Sequence, residues 1–186
     1  QTLVFGIGVY LAISKKVKLD RIAYLVAYLI GCEILWRMAE TSIFWEIGKY
    51  SASLIMIIAL IRRGKFIAPT LPTIFVVLLL PACIITMLSN DLSFAREKIS
   101  FNLSGPFFLF ISCWFFSYLK FVNLQIKKLF IVLLIPLLSV ATTTLIYTVA
   151  TEDISFSTES NFATSGGFGP NQVSSMLGLG VFIGLT

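Results

Sequence analysis

The chain has 186 residues, of which 58% are hydrophobic and only 12% are charged, with a formal net charge of +5 and no histidine. Soluble domains carry about 25% charged residues, so this composition excludes an ordinary soluble domain and indicates a polytopic integral membrane protein. The absence of histidine from the sequence excludes a histidine metal site and a Ser–His or Cys–His nucleophile pair within this chain.

The basic residues are strongly clustered, with ten of the fourteen in three groups between apolar runs. Clusters of this kind mark the cytoplasmic loops of membrane proteins. A nucleic-acid surface would not be divided in this way, so no nucleic-acid partner is expected. The acidic residues Glu152, Asp153 and Glu159 fall on the opposite face of the alternating topology. The three basic groups are Lys15, Lys16, Lys18 and Arg21; Arg62, Arg63 and Lys65; and Lys120, Lys127 and Lys128.

The apolar runs between these groups predict an all-α, polytopic transmembrane helix bundle of about seven spans, forming a single transmembrane domain over residues 1–186. A span needs about 20 apolar residues, and the first and last runs are shorter than that. We therefore expect these two spans to be truncated and the chain to be a fragment of a longer protein. The predicted spans are residues 2–14, 22–41, 44–61, 71–88, 105–119, 129–150 and a stretch that begins near Pro170.

The second span carries ionisable residues in its outer half, namely Glu33, Arg37 and Glu40. Spacings of four and three place all three on one face of a helix, where Arg37 can pair with either carboxylate. Ionisable groups within a span are costly and usually face a wet cavity or the bundle interior. The group is therefore either part of a functional site or a structural ion pair, and Arg37 could also extend to the outer membrane surface.

The outer loop over residues 90–105 predicts one short helix lying in the plane of the membrane surface. Its apolar residues recur at helical spacing, and Ser104-Gly105-Pro106 is expected to end it. Arg96 and Lys98 stand out because basic residues are otherwise scarce on this face. Arg96 could bind phosphate oxygens with its planar fork, or the two cations could anchor the helix to lipid headgroups.

The glycine-rich stretch over residues 159–175 predicts a sharp turn that starts the last helix. Gly166, Gly167 and Gly169 allow the backbone to adopt φ > 0, and Pro170 is expected at the first helical position. The positive end of such a helix suits an anion such as phosphate. The alternative is a turn that merely begins a transmembrane helix.

A polar stripe is predicted on the sixth span, where Ser139, Thr143 and Tyr147 recur at spacings of four. Such a stripe either forms hydrogen bonds between helices or lines a substrate path. The three cysteines of the sequence, in contrast, are isolated within apolar runs. Their spacing indicates neither a metal site nor a disulfide framework.

Three short stretches resemble the O-antigen ligase and polymerase family of bacterial membrane glycosyltransferases. They are ISFNLSGP at residues 99–106, SGGFGPNQVS at residues 165–174, and the polar second-span stretch GCEILWRMAE at residues 31–40. The resemblance implies an enzyme of the bacterial inner membrane whose active face is periplasmic and which serves lipopolysaccharide or other envelope polysaccharide biosynthesis. Whether the parent protein is a ligase or a polymerase is left open.

The resemblance also implies the partners and the chemistry. The donor would be an undecaprenyl-diphosphate-linked glycan and the acceptor a glycan or a lipid core, with membrane lipids around the protein and no metal or other cofactor. The family's catalytic histidine lies in a large outer loop, so the catalytic base is expected outside this chain. The residues matched to substrate binding are Arg96, Lys98, Gly169, Pro170, Asn171 and Arg37.

Two other functions compete with this interpretation. A transporter or flippase of lipid-linked or polar solutes could use Pro81 and Pro136 as hinges and the pair Glu33–Arg37 as a coupling site. A membrane scaffold without catalytic activity would also explain the absence of a complete reactive set from this chain. A long outer loop with histidine and arginine after the seventh span of the parent would favour the transferase.

Overall fold

A computed structural model describes residues 2–39, 47–151 and 160–186. In these ranges the chain is all-α, as predicted, and forms seven α-helices with one short 3-10 turn before the last of them. The helices follow the predicted spans closely at most ends. They are α1 (Thr2–Ile13), α2 (Leu19–Met38), α3 (Ile47–Arg62), α4 (Thr70–Ser89), α5 (Leu92–Phe116), α6 (Asn123–Ala150) and α7 (Pro170–Gly184), with the 3-10 turn at Ala163–Ser165.

Three of these helices, α4, α5 and α6, are long and apolar enough to cross a membrane. α2 has the same length as α4, 20 residues, but carries Asp20, Arg21, Glu33 and Arg37. α1 is apolar and shorter, with 12 residues. These helices suggest a multi-pass membrane protein.

The predicted separate helix on the outer surface is wrong, because its residues form the first half of α5. This helix runs without interruption for 25 residues and contains Gly105 and Pro106. Within a membrane each unpaired backbone group is costly, so continuing the helix satisfies more carbonyl groups than breaking it at the proline. At 1.5 Å per residue the helix is about 37 Å long, which exceeds the hydrocarbon thickness of about 30 Å.

The contacts within the chain divide it into two compact units. One unit comprises Thr2–Ile22 and Glu46–Phe121 and contains α1, α3, α4 and α5. The other comprises Ala23–Trp45 and Val122–Thr186 and contains most of α2 together with α6 and α7. We refer to them as the α3–α5 unit and the α2–α6–α7 unit.

In the α3–α5 unit, Arg63 joins the end of α3 to the end of α1. Its guanidinium donates to the carbonyl oxygens of Ala59 on α3 and Ala12 on α1, at 3.0 Å each. It also donates to those of Ser14 at 3.0 Å and Val17 at 2.6 Å, in the loop after α1. Burial lowers the pKa of Arg63 by penalising the charged guanidinium. The bonds bring two of the predicted cytoplasmic basic groups to the same end of this unit.

α4 lies at the edge of the α3–α5 unit and contacts α5. None of its residues is buried. At the start of α4, the backbone N–H of Ile67 donates to the Tyr118 hydroxyl at 3.1 Å, and this hydroxyl donates to the Ile67 carbonyl at 2.8 Å. The Lys65 ammonium lies 4.9 Å from the centroid of the Tyr118 ring. The start of α4 is therefore fixed to the end of α5, while most of its apolar surface remains available to lipid.

In the α2–α6–α7 unit, the core joins one buried residue from each helix: Ile34 on α2, Val140 on α6 and Val173 on α7. The helices approach closely at Gly31, where a Cβ atom would overlap the ring of Pro136 on α6. At Gly180 a Cβ atom would lie 3.6 Å from Cβ of Leu137, an ordinary contact. This packing holds the glycine-rich corner before α7 against the C-terminal part of α6.

Candidate functional site

The glycine-rich corner turns through two residues with positive φ, Gly166 at 70° and Gly167 at 75°. This is the left-handed region, which favours glycine. Gly169 was expected to need the same freedom, and this expectation is wrong, because its φ is −39°. A Cβ atom at Gly169 would meet only the side chain of Gln172, at 3.8 Å. The turn therefore depends on the first two glycines.

Hydrogen bonds within the corner fix its shape. The side-chain oxygen of Asn161 accepts from the N–H of Ala163 at 2.9 Å, and the N–H of Gly167 donates to the Phe162 carbonyl at 2.9 Å. The buried hydroxyl of Ser165 lies within hydrogen-bond distance of the carbonyl oxygens of Phe162 and Phe168. The corner is thus a defined turn with its own internal bonds.

The last helix begins as predicted, with Gly169 before it and Pro170 at its first position. Asn171 follows in the first turn and is exposed. Its carbonyl oxygen accepts from the hydroxyls of Ser174 at 3.1 Å and Ser175 at 2.7 Å. An exposed amide at the positive end of a helix suits an anion, and binding of phosphate there stays a prediction.

Arg37 reaches this corner from α2 and is buried, with 7% of its surface exposed. Its guanidinium forms an ion pair with Glu33 one turn earlier on α2. It also donates to Oε1 of Gln172 in the first turn of α7, at 3.2 Å. Its Cζ lies 6.0 Å from the centroid of the Phe168 ring. Arg37 therefore connects α2 to both sides of the corner.

This geometry favours one of the two interpretations of the second-span residues. With Glu33 as its counter-ion and Gln172 as an acceptor, Arg37 lies in a buried contact between helices. The third predicted member, Glu40, lies outside the described residues, as do the acidic residues at 152, 153 and 159. The geometry of Glu33 and Arg37 therefore favours a structural ion pair.

Arg96 lies in the α3–α5 unit, on the second turn of α5, and is exposed. It lines a cavity of about 540 Å³ whose walls are mostly hydrocarbon. Its polar lining includes two hydroxyl groups, those of Tyr50 and Ser100, which are hydrogen-bonded to each other with their oxygens 3.1 Å apart. We call this the Arg96 cavity. The residues that line it are Tyr50, Met87, Leu92, Arg96, Ile99, Ser100, Leu103 and Phe107.

Lys98 lines a different cavity, between α4 and α5, with a volume of about 260 Å³. Its ammonium lies 5.2 Å from the centroid of the Phe94 ring. The two cations that distinguish this loop in the sequence thus belong to separate cavities. Within the described residues, no cluster of three or more His, Cys, Asp or Glu side chains is arranged to hold a metal ion.

The predicted polar stripe on α6 has hydroxyls that bond within the helix itself. Ser139 donates to the carbonyl of Ile135 at 3.3 Å, and Thr143 donates to that of Ser139 at 2.9 Å. Because these donors are used one turn back along the helix, they need no partner on another helix. Tyr147 lies beside the corner, with its ring near Gly167.

Of the predicted site residues, the structure brings Arg37 to the corner that contains Gly169, Pro170 and Asn171, and places Arg96 and Lys98 in the other compact unit. That Arg96 and the corner bind the donor stays a prediction. Sequence reasoning missed Gln172 as the partner of Arg37, and it missed the Tyr50–Ser100 pair at the cavity. No protein-family model, curated protein or solved structure matches this chain.

Proposed function

We propose that this chain is the membrane part of a glycosyltransferase resembling the O-antigen ligases and polymerases, which moves a glycan from undecaprenyl diphosphate to an acceptor sugar at the periplasmic face of the bacterial inner membrane. The Arg96 cavity carries the proposal. A polyprenyl diphosphate needs a hydrocarbon-lined groove for its chain and a cation at the rim for its phosphates. Arg96 and its surrounding hydrocarbon supply this combination.

The proposed role of Arg96 follows from its chemistry. Its guanidinium can donate two parallel hydrogen bonds to phosphate oxygens. In the transfer, the acceptor oxygen forms a bond to the anomeric carbon, and the bond from this carbon to the phosphate oxygen breaks. The diphosphate leaves with the electron pair, and a positive charge beside it stabilises the charge that develops. The acceptor proton goes to a base that we expect outside this chain.

The corner at Gly169, Pro170 and Asn171 is proposed, within its own unit, to bind a phosphate group of the substrate. Its support is the exposed amide of Asn171 at the positive end of α7. Arg37 is proposed to hold this corner in place through Gln172, as a positioning residue that does not touch the donor. Transport is not favoured, because its proposed coupling residues Glu33 and Arg37 are buried and bonded to each other.

The direct test measures glycan transfer by the whole protein with a lipid-linked glycan as donor. Arg96→Ala should raise the donor KM and lower kcat/KM by about tenfold to a hundredfold, as expected for a lost charged hydrogen bond. Arg96→Lys should recover part of the loss, since it restores the charge without the planar fork. Arg62→Ala is the matched control, because it removes an exposed arginine that lines neither cavity. Unchanged kcat/KM in Arg96→Ala at subsaturating donor would remove Arg96 from the site.

A further inference from the structure

The two cavities described above flank the same part of α5. Ile99 and Leu103 line both of them, whereas Arg96 lines only one and Lys98 only the other. Residues two apart on an α-helix point about 200° apart around its axis. The helix therefore presents Arg96 to one cavity and Lys98 to the other, so the second cavity has a cation of its own.

The second cavity, which we call the Lys98 cleft, lies between α4 and α5. The α4 side of the cleft is lined by apolar groups and by Thr86, whose hydroxyl donates to the carbonyl of Ala82 at 2.8 Å. From α5 it receives Lys98 and an amide, Asn102, near one end, with Pro106 one turn further along. The cleft is thus hydrocarbon with a polar end. Its lining residues are Leu79, Ala82, Cys83, Thr86, Lys98, Ile99, Asn102, Leu103 and Pro106.

The location of the cleft limits what can occupy it. Both of its helices are long and apolar enough to span a membrane, and α4 contains no buried residue. A groove beside such a helix is in contact with the lipid phase. Its occupant must then offer a hydrocarbon chain to the walls and an anionic group to Lys98, because a lysine ammonium attracts negative headgroups at a membrane surface.

We propose that the Lys98 cleft binds an acidic phospholipid of the surrounding membrane, with an acyl chain between α4 and α5 and the phosphate at Lys98. The site differs from the Arg96 cavity and does not depend on the glycosyltransferase proposal. It requires only that α4 and α5 span the membrane. The lysine provides selectivity for a negatively charged headgroup, and the gap between the helices holds the acyl chain of the lipid.

The test uses native mass spectrometry of the whole protein, purified in detergent and titrated separately with phosphatidylglycerol and with zwitterionic phosphatidylcholine. The wild type should bind phosphatidylglycerol about fivefold more tightly than phosphatidylcholine, the ratio expected from one basic side chain at a headgroup. Lys98→Gln should abolish this preference. Because Lys98 is exposed, this change leaves the packing intact and keeps the test valid.

A second variant tests the cleft itself. Ala82→Phe should fill the groove from the α4 side and weaken association of phosphatidylglycerol severalfold. Ile84→Phe introduces the same side chain at an exposed position of α4 outside the cleft and should have no effect.

A preference for phosphatidylglycerol that survives Lys98→Gln would overturn the proposal. So would equal lipid binding by Ala82→Phe and Ile84→Phe.

Discussion

The guanidinium of Arg37 donates to Oε1 of Gln172 at 3.2 Å, and this bond links α2 to the first turn of α7 across 135 residues of sequence. Glu33 balances the charge of Arg37 from one turn earlier on α2. The corner before α7 is therefore held by a partly buried charged network as well as by apolar packing.

Removing one charge of this network should destabilise the protein more than removing both charges. Arg37→Met breaks the buried ion pair with Glu33 by removing one of its two charges, which costs about 3–5 kcal/mol. At about 2–4 °C per kcal/mol for a chain of this size, the unfolding temperature should fall by roughly 10 °C. The double variant Glu33→Leu/Arg37→Met should recover much of this loss in a thermal melt followed by circular dichroism. A double variant less stable than Arg37→Met would contradict a structural ion pair.

Two glycines of the corner, Gly166 and Gly169, should respond differently to alanine. Gly166→Ala should destabilise the protein by about 1–3 kcal/mol, because φ is 70° and the new methyl group would meet Met38. Gly169→Ala should change stability by less than about 0.5 kcal/mol, since φ there is −39° and the space is sufficient. The comparison is made by thermal unfolding of both variants in the same detergent. Equal losses would show that the turn does not depend on the left-handed residues.

The close approach of α2 and α6 predicts a similar contrast. Gly31→Ala places a methyl group into the rigid ring of Pro136, so the helices must separate. Overpacking of this kind costs about 1–3 kcal/mol. Gly180→Ala is the matched control, because its methyl group would lie 3.6 Å from Leu137, an ordinary contact. Thermal unfolding should rank Gly180→Ala close to the wild type and Gly31→Ala well below it, and the reverse order would refute this packing.

Two adjacent arginines at the end of α3 should contribute unequally. Arg63→Gln loses donors to four carbonyl oxygens, two at the ends of α1 and α3 and two in the loop after α1. A charged hydrogen bond contributes about 1.5–3 kcal/mol, so a loss of at least 2 kcal/mol is expected. Arg62→Gln removes one exposed bond of 3.4 Å and should cost about 0.5 kcal/mol or less. Limited proteolysis of the loop after α1 would report the difference, with faster cleavage expected only in Arg63→Gln.

Much of the fold could be predicted from local sequence. Basic clusters separate the apolar runs, and Pro170 fixes φ at a value that suits the first position of α7. The end of the helix at Ser104–Pro106 was predicted wrongly, because the sequence pattern of a helix stop ignores the cost of unpaired backbone groups in a membrane.

The site was less predictable for a different physical reason. The contact between Arg37 and Gln172 joins residues 135 positions apart, and no local pattern encodes it. The separation of Arg96 and Lys98 into two cavities also depends on how α3 and α4 pack beside α5. The residue types of the cations could be read from the sequence, but the walls of their cavities could not.

Equilibrium binding of undecaprenyl diphosphate to the purified whole protein would show whether the Arg96 cavity binds a polyprenyl diphosphate. Arg96→Ala should weaken binding by about tenfold or more, as expected for the loss of a charged contact to phosphate. Arg62→Ala should bind the diphosphate as the wild type does, because Arg62 is exposed and lines neither of the two cavities. Equal affinities of the wild type and Arg96→Ala would contradict the proposed donor site.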